Sequence, residues 1–409
     1  MYILFATIAF PESLETRNIY TDLMEELRDR GHSVCVVASC ERRNGKETHI
    51  SVERGIRILR VRTWNIKKTR NIFEKGFGTL LVERQFRKAL DDFLGDVKFD
   101  IVLTSTPPIT LDGLVRYVKQ RDGARSYLLL KDIFPQNAVD LGMIKKGGLL
   151  HRYFRMREKR LYRQADYIGC MSPANADFLA AHNPGLPDGK IEVCPNSIRP
   201  TDQKAPFHRA EILRRYSIPE DAAVFSYGGN LGKPQGVAFL KTVLQHHRGR
   251  KDVFFLIVGS GTEYPGLRSF LDGLAPENAL LHPFLPKEEY RMLLKASDVG
   301  LIFLDPRFTI PNFPSRLLDC MDMGKPILAA TDRNTDLGTI ITKGGFGLWC
   351  ESGDLQTFCA HVDKLVSDRT LRERMGKTAR QYLLDNYTAS KSADIILRHF
   401  DEGRTQNVS

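Results

Sequence analysis

Short runs of Val, Ile, Leu and Phe that lack polar alternation recur along the chain, separated by longer amphipathic stretches. The first run is YILFAT, and the next, HSVCVVAS, follows the amphipathic stretch from Leu14 to Arg30. A strand with apolar residues on both faces is typical of a parallel sheet that helices cover on both sides. Further runs lie at 57–63, 100–105, 126–132, 167–172 and 191–196. The first half of the chain is therefore predicted to form a Rossmann-like α/β domain.

A second series of the same kind follows the polar stretch SIRPTDQKAPFHR, whose lack of apolar periodicity indicates a linker. At 409 residues the chain also exceeds what one core usually organises. We expect one domain over 1–198, a second over 199–386, and a last helix within 387–409 that caps the second domain or crosses back to the first. Because ligands of open α/β sheets bind at the carboxyl ends of strands, the expected architecture has two Rossmann-like domains facing a central cleft. The strands of the second domain are predicted at 223–229, 253–261, 279–284, 299–304 and 326–331.

The net charge, the cysteines and the lengths of the apolar stretches limit which partners and which cellular location we expect for this protein. The net charge of +11 favours polyanions, but there is no basic helix-turn-helix, aromatic RNA-binding signature or zinc-ligand spacing, so nucleic acid is not expected. The seven cysteines form no CxxC pair, which favours reduced thiols in a cytoplasmic enzyme. The opening residues lack a basic segment, so they indicate a first core strand rather than a signal peptide. No apolar stretch approaches the roughly 20 residues that span a bilayer, so any membrane contact is expected to be peripheral.

The second domain contains a glycine-rich turn between a predicted strand and a predicted helix, in the segment YGGNLGKPQG. Its free amides and the start of the helix can receive a diphosphate. Gly229 and Asn230 lie in the turn, and Lys233 adds a compact positive charge. The alternative interpretation is a tight strand-to-helix turn that binds no ligand.

A second candidate anion site lies in FTIPNFPSRLLDCMDMGKP, where Pro314 and Ser315 indicate the start of a short helix and Gly324 its end. Arg316 and Leu318 fall in its first turn. Asp319 comes four residues after Ser315, where its carboxylate can accept hydrogen bonds from ribose hydroxyls. The alternative for Asp319 is a solvated helix carboxylate.

These two segments resemble family-four retaining glycosyltransferases of the GT-B fold, in the bacterial surface-polysaccharide (WbuB-like) branch. PSRLLDCMDMGKPILA is similar to that branch's PSK-LLEYMA-GKP stretch, and GNLGKPQG to its glycine loop. The order TSTPP, KDIFPQ, RLYRQADYI and VCPNS upstream also follows the family pattern. The resemblance implies sugar transfer with retention from a nucleoside diphosphate donor, a UDP-sugar of the N-acetylated amino type. It implies no further cofactor.

The sequence departs from the family at several site positions. The family has two glutamates separated by seven intervening residues, whereas this chain has Pro311 at the first position and Asp319 at the second. The Arg and Lys pair of the glycine loop is incomplete, with Asn230 and Gln235 near those positions and Lys233 as the cationic substitute. Near the N-terminus the usual glycine pair is missing, which leaves Arg17 as a contact. Asn196 lies in VCPNS, where relatives often show a PNG turn, and is retained as an acceptor-side contact.

The chemistry requires a leaving pyrophosphate to be stabilised. Because no convincing DxD metal site occurs, we assign that stabilisation to Lys233, Arg316 and backbone amides near Gly229 and Ser315, and no metal is expected. Asp132 ends a predicted strand in LLLKDIFPQ and is the catalytic candidate, placed to orient or deprotonate the acceptor. The alternative for Asp132 is a cap on the following turn.

Two basic segments, 64–88 and 145–163, interleave Lys and Arg with aromatic and apolar residues, as helices on anionic membranes do. Together with the resemblance they point to a lipid-linked saccharide acceptor at the inner face of the plasma membrane. The alternative is a solvated basic face. Two other functions remain open for the whole chain: a nucleotide-sugar epimerase with the same fold, and a catalytically silent scaffold.

Overall fold

A computed structural model describes residues 1–66, 72–203 and 207–401. The chain divides into two compact units: unit 1 contains Met1–Arg199 together with the segment that begins at Ala389, and unit 2 contains Pro200–Thr388. The first boundary lies one residue beyond the expected position and the second lies two residues beyond it. Each unit is a parallel sheet covered by helices.

Unit 1 is built on an eight-stranded sheet with the strand order β3-β4-β2-β1-β5-β6-β7-β8 among its described residues. All neighbouring strands are parallel except β3 and β4, which form an antiparallel hairpin. The parallel strands other than the edge strand β8 are largely buried on both faces, as their continuous apolar sequence requires. Their bounds are β1 Tyr2–Thr7, β2 Ser33–Glu41, β3 His49–Glu53, β4 Ile56–Thr63, β5 Ile101–Ser105, β6 Arg125–Leu130, β7 Tyr167–Cys170 and β8 Ile191–Val193.

Helices connect these strands, and the first one is shorter than the amphipathic pattern predicts. It begins at Ile19 because the Asn18 side chain caps it, accepting hydrogen bonds from the backbone amides of Tyr20 (2.8 Å) and Thr21 (2.9 Å). The helices up to the linker are α1 Ile19–Asp29, α2 Ile72–Leu94, α3 Asp112–Asp122, α4 Gln136–Asp140, α5 Leu149–Gln164 and α6 Pro173–His182.

Unit 2 contains a six-stranded sheet, parallel throughout, with the order β11-β10-β9-β12-β13-β14 among its described residues. The strands are β9 Ala223–Gly228, β10 Val253–Val258, β11 Ala279–His282, β12 Val299–Phe303, β13 Ile327–Thr331 and β14 Gly347–Glu351. The helices are α7 Arg209–Arg215, α8 Val237–His246, α9 Tyr264–Leu274, α10 Lys287–Ala296, α11 Arg316–Asp322, α12 Leu337–Lys343, α13 Leu355–Ser367 and α14 Arg369–Asn386.

A buried carboxylate fixes the start of unit 2 to its body. Asp322, at the end of α11, accepts hydrogen bonds from the Thr201 amide (3.1 Å) and the Thr201 hydroxyl (2.7 Å). It also pairs with Arg291 of α10 (3.1 Å) and with Arg380 of α14. Burying a charge is costly unless it is paired and hydrogen-bonded, and Asp322 has both kinds of partner. The network therefore joins α10, α11 and α14 to the first residues of the unit.

The last helix, α15 Ala389–Asp401, packs on unit 1. In its first half, Asp394 pairs with Arg30, which directly follows α1 (2.6 Å). Near its end, the Glu192 carboxylate accepts the Tyr127 hydroxyl (2.6 Å) and lies 2.9 Å from His399 Nε2. Of the two positions considered for the last helix, the structure therefore shows the one against the first domain.

Two strands were not predicted, and each has a physical reason. The strand β3 has alternating half-buried and exposed residues, so it lacks the continuous apolar run of its neighbours. The strand β14 is a partly buried sheet edge that follows a glycine pair. Both lie at the margin of a sheet, where burial imposes the weakest constraint on sequence.

Candidate functional site

The glycine loop of unit 2 leaves the carboxyl end of β9, a central strand. Gly229 has φ +123°, a conformation that residues with a side chain rarely adopt. Two backbone hydrogen bonds hold the loop against the end of β10 and the residues that follow it. The Gly229 amide donates to the Val258 carbonyl (2.9 Å), and the Leu231 amide donates to the Ser260 carbonyl (2.9 Å). The exposed residues Gly229, Asn230 and Lys233 lie on its outer side. The loop then makes a short 3-10 turn and enters α8.

Several glycines near this loop are explained by packing alone. A Cβ on Gly236 would lie 2.8 Å from the Leu304 carbonyl oxygen, and one on Gly259 only 1.9 Å from the Gly229 carbonyl oxygen. These positions exclude any side chain, with or without a ligand. Gly229 differs, because a Cβ there would meet nothing nearer than the Arg316 guanidinium at 3.7 Å. The side of Gly229 on which a Cβ would lie therefore faces the positive charge of Arg316.

Arg316, the first residue of α11, supplies that charge in a fixed position. Its guanidinium lies 4.4 Å from the centroid of the buried Tyr227 ring, and its Nη2 donates to the Gln235 side chain in the glycine loop. Its Nη1 is buried and has no hydrogen-bond partner among the residues that the structure describes. A guanidinium has five N–H donors, and a buried donor without an acceptor is costly. The geometry therefore provides a held cation that can donate to an added oxygen ligand.

The remaining predicted residues of unit 2 surround this cation. Ser315 is exposed and directly precedes α11, next to the half-buried Pro314. Asp319 is half-buried one turn along α11, beside Tyr290. Leu318 is fully buried, so its side chain belongs to the core of the unit.

Tyr290 is a neighbour that sequence reasoning missed. A Cβ on Gly228 would lie 1.9 Å from its hydroxyl oxygen, so the ring end packs directly on the glycine loop. Burial raises the pKa of Tyr290 well above its usual value, and the nearby Cys320 and Asp319 raise it further. The tyrosine is therefore a neutral spacer between Asp319 and the loop.

Pro311 is buried in the segment before α11, where the family carries its first carboxylate. The nearby Asp305 does not take over that role directly, because its carboxylate pairs with Arg307 (2.8 Å). Its backbone amide donates to the Pro234 carbonyl (3.0 Å) and ties the segment after β12 to the glycine loop.

In unit 1, Asp132 follows the carboxyl end of β6 and is half-buried. Asn137 donates to its Oδ1 (2.6 Å). Its backbone amide donates to the Thr106 hydroxyl oxygen (3.1 Å), and that hydroxyl donates back to the Asp132 carbonyl (3.0 Å). Burial raises the pKa of Asp132 from 3.8 to about 6, against the opposing effect of the Asn137 hydrogen bond. Such a carboxylate is ionised at neutral pH and can accept a proton more readily than an exposed one.

The other two predicted contacts in unit 1 have partners inside the fold. The Arg17 guanidinium pairs with Asp22 (3.1 Å) and donates to the Arg199 carbonyl (2.7 Å), so it fastens the end of the unit to the start of α1. Asn196 is buried, with its Nδ2 3.5 Å from the Met171 sulfur.

The basic segment 145–163 forms most of α5, and its arginines fall into two groups. Arg155 pairs with the buried Glu158, and Arg157 pairs with Asp112 and with Glu83 (2.7 Å), so both hold the fold together. The exposed cations of this segment are Lys145, Lys146, Arg152, Lys159, Arg160 and Arg163. In the other segment, 64–88, residues 67–71 lie outside the described residues.

Exposed apolar side chains lie among the cations of α5. Leu149 is 88% exposed, and Met143, Leu150 and Met156 are exposed as well. We call these four residues with Lys145, Lys146 and Arg152 the α5 patch. Among the residues that the structure describes, no helix has the length and hydropathy of a membrane span. Within the same residues, no three His, Cys, Asp or Glu side chains are grouped as metal ligands.

Comparisons with known proteins decide the class of reaction. The family model for a Glycosyl transferase 4-like domain matches residues 17–197, and that for Glycosyl transferases group 1 matches residues 208–382. This chain belongs to the GT-B glycosyltransferases. The predicted GT-B fold and glycosyl transfer as the reaction are thereby confirmed. The residues that the first model matches lie within unit 1, and those that the second matches lie within unit 2 and include the glycine loop and α11.

Individual relatives of this glycosyltransferase agree with that assignment. A protein described as the probable glycosyltransferase WbjE of Pseudomonas aeruginosa is 26% identical over 324 residues, which are 75% of this chain and 78% of that protein. The structure of sucrose-phosphate synthase from Thermosynechococcus elongatus matches with a TM-score of 0.75 at 16% identity, over 99% of this chain and 100% of that one. Anabaena HepE in complex with UDP-glucose matches with a TM-score of 0.69 at 14% identity, over 98% and 100%.

The raised pKa of Asp132 gives a stability prediction that is independent of catalysis. Because the folded-state pKa lies above the unfolded value of about 3.9, the stabilising protonated form is lost as the pH rises through about 6. Asp132→Asn removes the cost of ionising this buried carboxylate, which is about 3 kcal/mol. The glycosyltransferase variant should therefore melt a few degrees above the wild type at pH 8, with a smaller gain at pH 5.

Thermal melting at the two pH values measures this difference. Asn137→Ala should have the opposite effect, with a larger loss at pH 8, because it removes a hydrogen bond to the ionised carboxylate. Glu288→Gln, at an exposed carboxylate, is the matched control. Equal effects of Asp132→Asn at pH 5 and pH 8 would contradict the account of Asp132.

Proposed function

We propose that this glycosyltransferase moves an N-acetylated amino sugar from a UDP-sugar to a lipid-linked saccharide, with retention and without a metal ion, in bacterial surface-polysaccharide assembly. The observation that carries the donor side is the Arg316 guanidinium, held over Tyr227 with a buried Nη1 that lacks an acceptor. A phosphate oxygen of a nucleoside diphosphate is an acceptor of the right charge and size. HepE, matched above, carries UDP-glucose, which supports a uridine donor.

The residues of unit 2 can supply the chemistry that a metal supplies in other transferases. As the bond from the anomeric carbon to the pyrophosphate oxygen breaks, negative charge grows on the leaving group. Arg316 lies on one side of Gly229, and the exposed Lys233 lies on the same loop. A guanidinium gives directional hydrogen bonds and an ammonium gives a compact charge, so the two act in complementary ways. Asp319 is the proposed partner of the ribose hydroxyls.

On the acceptor side, we assign Asp132 of unit 1 as the group that orients the attacking hydroxyl or takes its proton. The hydroxyl oxygen forms the new bond to the anomeric carbon, and UDP leaves with the electrons of the old one. Retention rests on the family resemblance and requires the acceptor to attack from the side that UDP leaves. A pKa of about 6 keeps Asp132 ionised at neutral pH and still basic enough to share a proton.

A lipid-linked acceptor is supported by the α5 patch. Exposed Leu149 and Leu150 lie beside Lys145, Lys146 and Arg152, which is the composition of an interfacial helix. Each cation near an anionic surface contributes on the order of 1 kcal/mol. Unit 1 would thus bind the acceptor at the membrane surface while the lipid portion of the acceptor stays in the inner leaflet.

The donor site is tested by calorimetric titration of the intact protein with a panel of UDP-sugars in EDTA. We expect UDP-N-acetylated amino sugars to bind and each of Lys233→Ala and Asp319→Ala to weaken binding by roughly tenfold, because each removes one polar contact. Matched controls are Lys251→Ala and Asp272→Ala, at exposed residues of unit 2 away from the loop.

The same proteins should then transfer sugar to a lipid-linked saccharide in EDTA, and Asp132→Asn should lose transfer while keeping donor affinity. Unchanged affinity in both site variants would refute the donor site. Activity that appears only with magnesium or manganese would refute the metal-free mechanism. Sugar isomerisation without an acceptor product would favour the epimerase.

Membrane contact is tested by co-sedimentation with anionic vesicles. The wild type should bind at low salt and less at high salt, since the reach of charges falls to about 8 Å at physiological ionic strength. Replacing Lys145 and Lys146 with Glu should abolish most salt-sensitive binding, and replacing Leu149 and Leu150 with Ser should remove the salt-resistant part. Lys251→Glu with Lys377→Glu in unit 2 carries the same charge change as a control. A wild type that ignores anionic vesicles at low salt would make a soluble acceptor the better hypothesis.

A further inference from the structure

The strand β3 forms one edge of the unit 1 sheet, and its outer side pairs with no strand among the described residues. Its two apolar residues point to one face and are exposed, with Ile50 41% and Val52 68% accessible. Edge strands are usually protected by proline, lysine or a covering segment, because their free backbone groups recruit other strands. The sequence HISVE of β3 contains neither proline nor lysine.

Hairpin geometry identifies which backbone groups are available. Arg54 (φ 46°) and Gly55 (φ 78°) form a two-residue turn that joins Glu53 to Ile56. Such a turn closes on a hydrogen-bonded pair, and hydrogen-bonded pairs alternate along an antiparallel ladder. His49, Ser51 and Glu53 therefore direct their backbone groups to β4. Ile50 and Val52 direct theirs out of the sheet.

This pattern fits a second copy of the same chain. We propose that two copies associate through antiparallel pairing of β3 with β3 about a two-fold axis at Ser51. In this register Ile50 of each copy faces Val52 of the other, and their outward amides and carbonyls form four hydrogen bonds. The exposed apolar side chains pair twice, and an imidazole (His49) faces a carboxylate (Glu53) twice.

Neighbouring registers fit less well. Centring the axis on Ile50 places Glu47 opposite Glu53, and like charges directly opposite each other are destabilising. Centring it on Val52 places Ile50 against Arg54. Only the register centred on Ser51 gives both Ile50 and Val52 an apolar partner while avoiding facing like charges.

Ser51 provides a second, independent observation. Its hydroxyl oxygen is buried and has no hydrogen-bond partner within the described part of the single chain. At the centre of the proposed pair, Ser51 faces Ser51 of the other copy as a non-hydrogen-bonded pair, in which side chains approach most closely. The two hydroxyls then satisfy each other, as cross-strand serine and threonine pairs do.

Sedimentation equilibrium over a concentration series tests the association. Two five-residue strands bury less area than the roughly 1,200 Å² of stable interfaces, so we expect a weak dimer with Kd in the micromolar range. Val52→Lys should shift the protein to monomer by at least tenfold in Kd. Val52→Pro should do the same without unfolding the hairpin, because the Val52 amide points away from β4. Val193→Lys, at a 37% exposed valine on the opposite edge strand β8, should leave the dimer intact.

Disulfide trapping tests the register. Ser51→Cys should form a covalent dimer on mild oxidation, because facing Cα atoms at such a pair lie about 4.5 Å apart, within disulfide range. Ile50→Cys should trap far less, since it faces Val52. The native cysteines give a low background because six are buried and Cys359 is half-buried. A wild type that stays monomeric throughout the series, or a dimer lost in Val193→Lys and kept in Val52→Lys, would overturn the proposal.

Discussion

The adjacency of β9 and β12 in a parallel sheet is the constraint on which the donor site depends. The two strands pair directly, with Val299 opposite Phe225, so their carboxyl ends lie side by side. The glycine loop and the segment leading to α11, about 80 residues apart in sequence, are thereby brought together. Two hydrogen bonds then hold them: the Asp305 amide to the Pro234 carbonyl, and Arg316 to Gln235. The order of the strands thus brings the two segments of the proposed donor site together, and the hydrogen bonds then fix their positions.

Most of the architecture could be predicted because burial on both faces makes a parallel strand readable as a continuous apolar run. The elements that sequence analysis missed, β3 and β14, are edge strands that lack this signal. The start of α1 was also misjudged, because the amphipathic pattern begins before the Asn18 cap that sets the first helical residue. The spacing of apolar residues in a sequence indicates which residues are buried, whereas the ends of a helix depend on single capping hydrogen bonds.

The candidate site was less predictable than the fold. The positions of Gly229, Lys233 and Arg316 followed from the strand-turn-helix pattern and the resemblance, but their geometry did not. Tyr227 reads as one more apolar strand residue, yet it supports the guanidinium. Tyr290 comes from a different helix and reaches the loop only in three dimensions. Arg155 and Arg157 show the opposite case. In the sequence they look like part of a membrane-binding basic segment, but in the structure they form ion pairs within unit 1.

The two units divide the chemical tasks in this account. Unit 2 presents the held guanidinium of Arg316 and the exposed ammonium of Lys233 at a glycine loop, which suits the proposed leaving diphosphate. Unit 1 carries a carboxylate of raised pKa, Asp132, and an exposed apolar and basic patch, which suit an acceptor with a lipid portion. We propose that Arg316 recognises the diphosphate, because its buried Nη1 has no other acceptor within the described chain.

Comparing the affinities of UDP and UMP by calorimetry, in the wild type and in Arg316→Gln, tests that claim most directly. We expect the wild type to bind UDP at least tenfold more tightly than UMP, a difference in binding free energy of about 1.4 kcal/mol. We also expect that this preference largely disappears in the variant while UMP affinity changes little. An undiminished preference for UDP in a correctly folded Arg316→Gln protein would contradict the account.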